Sequence, residues 1–99
     1  MSEARSWTFL TNHARVLLAV AATPDLRLKE IAEHVNITER TATQILTDLE
    51  TAGCVQRHKI GRRNHYTIRT QTPLRHPLEE HHKIADLITA LGHEAIVDR

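Results

Sequence analysis

Apolar residues recur with helical spacing in the middle of the chain. Between residues 38 and 53 they fall at i, i+3, i+4 and i+7, which places them on one face of a helix. These apolar positions are Ala42, Ile45, Leu46 and Leu49. Thr38 is a residue type that caps helix N-termini, and Gly53 is the type that most often follows a C-terminus. The pattern predicts an amphipathic helix over this stretch.

Two further helices are predicted before it. The first begins at an N-cap supplied by Thr11 or Asn12 and ends near residue 22, because Pro24 and the residue before it resist helical conformation. A short extended segment over 26–28 leads into a second helix over about 29–35. Asn36 follows where the chain must turn, and asparagine tolerates the left-handed conformation better than any residue except glycine.

After Gly53 the apolar pattern changes from helical to strand spacing. Segments 55–59 and 65–69 predict two strands, and residues 60–64 predict the loop between them. A connector with two prolines covers 71–77, and a last helix is predicted over 78–91. The apolar stripe of this helix consists of Ile84, Leu87, Ile88 and Leu91. The predicted fold class is therefore mainly α with a small β-hairpin, an α+β arrangement.

The composition is that of one ordinary globular domain, which we expect to span residues 1–99. The chain has 99 residues, of which 40% are hydrophobic and 25% charged, and this suffices for one modest core. No apolar run approaches the roughly 18 residues that cross a membrane. A single Cys54 cannot form an internal disulfide, which fits a reducing compartment. We therefore expect a cytoplasmic protein that is not associated with a membrane.

Charge is informative in its distribution more than in its total. The formal net charge is only +1, but residues 57–69 contain five Lys or Arg and no acid. On the predicted helix 38–53, the face opposite the apolar stripe carries hydrogen-bonding side chains without a carboxylate, and Glu39 and Asp48 lie nearer its flanks. That outer face consists of Arg40, Thr43, Gln44, Thr47 and Thr51. Such a surface suits a partner rich in acceptors, and DNA is the leading candidate.

The order of predicted elements, and the residues at the turn, resemble a known family. Ala32 supplies the small residue at which the two helices of a helix-turn-helix cross, Asn36 stands at the usual glycine of the turn, and Ile37 supplies the hydrophobe after it. The stretch LKEIAEHVNITERTATQILTDLETAGCVQRHKIGRRNHYTI is similar to small bacterial winged helix-turn-helix regulators of the MarR and ArsR type. The resemblance covers about residues 11–69.

This resemblance implies a winged helix-turn-helix core over about 11–69 and a C-terminal dimerisation helix over 78–91. It implies a homodimeric, sequence-specific regulator of transcription that binds a near-palindromic operator in duplex DNA. We expect no enzymatic activity, because the sequence has no nucleophile with a His and a carboxylate in motif spacing and no Gly-rich phosphate loop, and we expect no cofactor. Arginine can bond guanine and glutamine can bond adenine, each in bidentate fashion, so Arg40 and Gln44 are the expected base readers. The expected supporting contacts to DNA come from Thr38, Thr41, Thr43, Thr47, Arg62, Arg63, Lys29 and Arg27.

The last helix is expected to pair with the same helix of a second chain, because a domain of this size has little core left to cover it. The expected dimer residues are Ile84, Leu87, Ile88 and Leu91, assisted by Trp7. Phe9 is expected to pack in the core or in the dimer. Two binding units placed one helical turn apart then suit an operator with two-fold symmetry.

Three alternatives remain open from the sequence. An ArsR-like, metal-responsive repressor would use Glu80, His82 and His93 as ligands, although the fourth expected position is Ile96, which cannot coordinate a metal. We expect no metal site. A winged-helix module that binds protein would show acids or apolar groups on the outer face of residues 38–53, and an RNA-binding protein would show exposed aromatic residues.

Overall fold

A computed structural model describes residues 6–92 and consists of three helices, a hairpin and a short C-terminal helix. The helices are α1 (Asn12–Ala22), α2 (Leu28–Val35), α3 (Glu39–Thr51) and α4 (Ile84–Leu87), and α4 continues into a π-helical turn (Ile88–Gly92). Strands β1 (Val55–Ile60) and β2 (Arg63–Ile68) lie between α3 and α4. The order of elements confirms the predicted α+β fold class. None of the helices described is long and apolar enough to cross a membrane.

Side-chain caps fix where the helices begin. The Thr11 hydroxyl accepts the backbone N–H of Ala14 at 3.1 Å, and the Thr38 hydroxyl accepts that of Thr41 at 3.0 Å. At the start of α2 the Glu30 carboxylate accepts the backbone N–H of Arg27 at 2.9 Å. Each cap satisfies a helix N–H that has no acceptor within the helix. The predicted starts of the first and third helices are confirmed.

The turn between α2 and α3 depends on Asn36. This residue has φ 65° and ψ 50°, in the left-handed region. The backbone N–H of Ile37 donates to the Ala32 carbonyl at 3.0 Å, which closes the end of α2 as is usual at such a C-terminus. The predicted left-handed turn is confirmed, and it sets the direction in which α3 leaves α2.

The core lies between the first three helices and is completed by the hairpin and α4. Val16, Val20 and Ile31 are fully buried at its centre, and Tyr66 of β2 packs into the same cluster. Cys54 is also buried, and loss of hydration there raises the pKa of its thiol. A buried thiol with a raised pKa is a packing residue rather than a nucleophile.

The hairpin is tighter than predicted. Ile60 pairs with Arg63 and Lys59 pairs with Asn64, so the turn consists of Gly61 and Arg62 only. Gly61 has φ 63°, the left-handed conformation that a two-residue hairpin turn requires. The predicted five-residue loop is wrong because strand pairing continues through residues whose types are common in turns.

The predicted extended segment over 26–28 forms no strand within the described residues. Leu28 is already the first residue of α2. The neighbouring loop instead joins the hairpin through one backbone bond, from the Tyr66 N–H to the Pro24 carbonyl at 2.8 Å.

The last helix begins at Ile84, and the predicted start at residue 78 is wrong. The backbone N–H of Ile84 donates to the Thr72 carbonyl at 2.9 Å, and that of Leu74 donates to the His82 carbonyl at 2.9 Å. These bonds hold residues 72–83 as a folded-back loop. The Asp86 carboxylate accepts the Lys83 N–H at 3.0 Å, and this cap starts the helix there.

The apolar stripe of this last helix packs partly against its own chain. Ile84 is 3% exposed and belongs to the core, and Ile88 packs against that core. The expectation that the domain has little core left to cover this stripe is therefore wrong for Ile84. Leu91 remains 41% exposed.

Candidate nucleic-acid interface

The outward face of α3 is exposed and free of carboxylates at its centre. Arg40, Thr43, Gln44 and Thr47 are all exposed. The opposite stripe of the helix, formed by Ala42, Ile45, Leu46 and Leu49, is buried as predicted. The buried inner face therefore fixes α3 in the core, and the outer face is exposed to solvent.

The hydroxyl groups at the start of α3 are linked to one another. Thr38 accepts the Thr41 N–H and donates its own hydroxyl proton to Thr41 Oγ1 at 3.0 Å. The hydroxyl proton of Thr41 remains available to an outside acceptor. Thr38 therefore serves mainly as the helix cap, and of the two threonines Thr41 is better placed to bind a phosphate oxygen.

One flank of α3 carries a carboxylate that two neighbours hold. Asp48 Oδ2 lies 2.8 Å from His13 Nε2 of α1, and Asp48 Oδ1 accepts from Gln44 Nε2 at 3.0 Å. These two bonds, the His13 contact first, hold the pKa of Asp48 below its ordinary value. A groove of about 510 Å³ runs along this flank and is lined by Asn12, His13, Arg40, Thr41, Gln44, Ile45 and Asp48.

The opposite flank carries a second clamped acid. Glu50 Oε1 lies 3.0 Å from the Arg57 guanidinium of β1. Both side chains are partly exposed, so this ion pair contributes little to stability. Its effect is to neutralise an acid beside the outer face. Neither clamp was predicted from the sequence, although the i, i+4 spacing of Gln44 and Asp48 could have indicated the bond between them.

The basic side chains of the hairpin differ in how free they are. Arg62 lies at the exposed turn, but Arg63 lies in β2 and donates to the Asp25 carbonyl at 2.7 Å. Arg57 is paired with Glu50, and Arg69 donates to Gln56 Oε1 at 3.1 Å. Arg63 therefore follows the turn directly, but its side chain is bonded to the α1–α2 loop.

The structure does bring three of the predicted basic residues together. A cleft of about 380 Å³ between the α1–α2 loop and the hairpin is lined by Arg27, Arg62 and Arg63, together with Asp25, Leu26, Leu28, Asn64 and Tyr66. Lys29 is exposed on the first turn of α2, next along the chain from this cleft. These side chains form a second basic surface, separate from the outer face of α3.

The candidate metal ligands are not assembled. His82 Nδ1 lies 3.0 Å from Asp86 Oδ2, and the pKa of Asp86 is lowered by the Lys83 N–H first and by His82 second. Glu80 is exposed in the turn before α4, and His93 lies outside the described residues. Within residues 6–92 there is no group of three His, Cys, Asp or Glu side chains that could hold a metal ion.

Three packed helices with a helix-turn-helix, followed by a two-stranded hairpin, define a winged-helix protein of the kind that binds nucleic acid. Residues 8–63 match the family model of the MarR family, so the chain belongs to that family. The matched region contains α1, the whole helix-turn-helix, β1 and the turn of the hairpin, and it ends at the first residue of β2. MarR proteins are DNA-binding regulators of transcription, and enzymatic activity is not a property of the family. No curated protein matches the chain in sequence.

Proposed function

We infer that the chain acts as a homodimer and reads a specific, near-palindromic DNA sequence with the exposed face of α3. The observation that supports this most is the distribution of charge on that helix. Arg40 and Gln44 stand on the exposed face, while Asp48 and Glu50 are each held at a flank by a neighbouring element. The groups at the centre of the outer face are those that bond to base edges and phosphates, and Glu39 is exposed at the flank, on the first turn of α3.

The dimensions also suit a major groove. An α-helix with its side chains is about 10–12 Å in diameter, and the major groove is about 12 Å wide, so the 13-residue α3 can lie in it. The basic cleft of Arg27, Arg62 and Arg63 stands beside α2 and the hairpin, and it would contact the backbone or the minor groove. In this arrangement α3 supplies specificity and the cleft supplies charge.

The dimer surface follows from exposed apolar residues. Trp7 is 67% exposed and Phe9 91% exposed, and their rings meet edge to face with centroids 5.1 Å apart. Thr11 and Leu87 line one cavity of about 320 Å³, so the start of α1 lies beside the last helix. Trp7, Phe9 and Leu91 would be covered by a second copy, whereas Ile84 serves the core of its own chain.

Binding to DNA is tested by selecting sequences from random duplexes and then measuring affinity at two salt concentrations. Arg40→Ala should reduce the preference at particular base pairs by about 1–3 kcal/mol. Arg62→Ala should weaken all duplexes alike and reduce the salt slope by about one unit. Lys83→Ala removes the same charge at the start of α4 and serves as the control. The proposal would be contradicted if both arginine variants kept the base preference and the salt dependence of the wild type.

The dimer is tested by sedimentation of the full chain. Trp7→Ser should shift the protein toward monomer, because an aromatic side chain buried between copies contributes more than its neighbours. Ile60→Ser removes an exposed apolar side chain from the hairpin and should leave the association unchanged. A monomeric wild-type protein, or equal effects of the two substitutions, would refute this dimer surface.

A further inference from the structure

A chain of hydrogen bonds connects α1 to a proposed base reader. His13 of α1 contacts one oxygen of Asp48 at 2.8 Å, and Gln44 donates to the other oxygen at 3.0 Å. Each oxygen of the carboxylate therefore has its own partner, and all three residues line the same groove beside Arg40. Gln44, a proposed DNA contact on α3, is therefore connected to α1 through Asp48 and His13.

The chemistry of the partner decides the orientation of the Gln44 amide. A glutamine amide has a donor end and an acceptor end of nearly equal shape. An ionised carboxylate only accepts, so it binds the NH₂ end and excludes the arrangement turned by 180°. An aspartate of ordinary pKa is already ionised at neutral pH, and the contacts with His13 and Gln44 lower the pKa of Asp48 further. The Gln44 amide can therefore present only one order of donor and acceptor.

We propose that Asp48, itself held by His13, is a positioning residue that fixes the Gln44 amide and so sets which base Gln44 prefers. The bond to Asp48 uses one N–H of Gln44 and leaves the other N–H and the carbonyl oxygen. These two groups match adenine in the major groove, where N7 accepts from the N–H and the N6 amino group donates to the carbonyl oxygen. This inference rests on the proposed DNA reading by α3 and identifies how one of its contacts acquires its selectivity.

The other flank of α3 offers a matched control. Glu50 is also an acid beside the outer face, but it pairs with Arg57 and not with a proposed base reader. Asp48→Asn and Glu50→Gln each remove one negative charge near DNA, and each should strengthen binding to all duplexes to a similar degree. Only Asp48→Asn also gives the Gln44 amide a neighbour that can both donate and accept, so only this variant lets the amide turn over.

The experiment measures affinities of the full chain for the selected duplex and for its single base-pair variants. Asp48→Asn should reduce the preference at one base pair by about 3- to 10-fold, part of what a bidentate contact supplies, and leave preferences elsewhere unchanged. Glu50→Gln should leave all preferences unchanged. In a Gln44→Ala background Asp48→Asn should have no further effect on preference. His13→Ala should reduce the same preference, and His13→Gln, which keeps an N–H donor, should restore it.

Suppose that the wild type selects particular duplexes but that Asp48→Asn keeps base preferences within about 2-fold of the wild type. This result would overturn the inference and leave the proposed function standing. Equal changes of preference in Asp48→Asn and Glu50→Gln would overturn it as well, because charge alone would then account for the effect. A wild type that shows no salt-dependent binding to any duplex would remove the proposed function and the inference together.

Discussion

Helix α3 and the hairpin both carry groups suited to DNA, but the protein holds them very differently. Four residues of α3 are buried, and Asp48 and Glu50 connect its flanks to α1 and β1. In the hairpin only Val55 of β1 and Tyr66 of β2 are buried. Helix α3 is thus anchored to the core along most of its length, whereas each strand of the hairpin is anchored at one buried residue.

This difference matches the two kinds of contact that DNA offers. A side chain that reads base edges must be held in place, because bidentate bonds depend on geometry. A side chain that neutralises phosphate needs charge and reach more than a fixed position. Helix α3, which is packed into the core along its inner face, suits the first task, and Arg62 on the exposed turn suits the second.

The largest effect should come from removing one isoleucine side chain in each region. Ile45 of α3 is 3% exposed and Ile60 of the hairpin is 61% exposed. Ile45→Ala should lower the free energy of unfolding by about 2–5 kcal/mol, since it leaves a cavity in the core. Ile60→Ala should change it by about 0.5 kcal/mol or less. Urea denaturation measures both, and comparable losses would show that the hairpin is anchored as firmly as α3.

A smaller effect should come from the two left-handed turns that lead into these regions. Asn36 before α3 and Gly61 in the hairpin have nearly equal φ angles, 65° and 63°. Alanine at either position adopts this conformation at a cost of about 1–2 kcal/mol. A Cβ on Gly61 would meet no atom within 4 Å, so no steric clash adds to that cost.

The two turn substitutions should nevertheless differ in their effect on binding. Asn36→Ala acts on the turn that orients α3 and should reduce base preference, whereas Gly61→Ala should weaken binding evenly. Asn36→Gly keeps the left-handed turn and is the control for the first substitution. Duplex affinities measure the effect on binding, and urea denaturation of the same variants measures the effect on stability. An even loss of binding in Asn36→Ala would contradict a link between this turn and base reading.

Much of α3 could be predicted from the sequence because its signals are local. The Thr38 cap, the apolar stripe and the left-handed Asn36 are each determined by residues within a few positions of one another, and each was found where it was predicted. The exposure of Arg40 and Gln44 follows from the same helical period. Their contacts with DNA remain a proposal.

The features that local signals do not predict depend on residues far apart in the sequence. The start of α4 is set by bonds from Ile84 to Thr72 and from Leu74 to His82, and no periodicity in 78–91 reports them. The bond from the Arg63 side chain to the α1–α2 loop depends on strand register and on the Asp25 carbonyl. His13 and Asp48 are 35 positions apart, so their contact becomes visible only when α1 packs beside α3.

The smallest predicted effect concerns acid stability and tests the α1 clamp of α3 directly. The folded-state pKa of Asp48 is lowered, by His13 first and Gln44 second. The stability that this gives is therefore present above the unfolded-state pKa and is lost as pH falls through the folded-state value, below about pH 4. Asp48→Asn removes this term, so the difference in stability between wild type and variant should narrow from pH 6 to pH 3. Parallel stability curves, measured by urea denaturation across that range, would show that the His13 bond does not persist in solution, and the positioning of Gln44 through Asp48 would lose its anchor on α1.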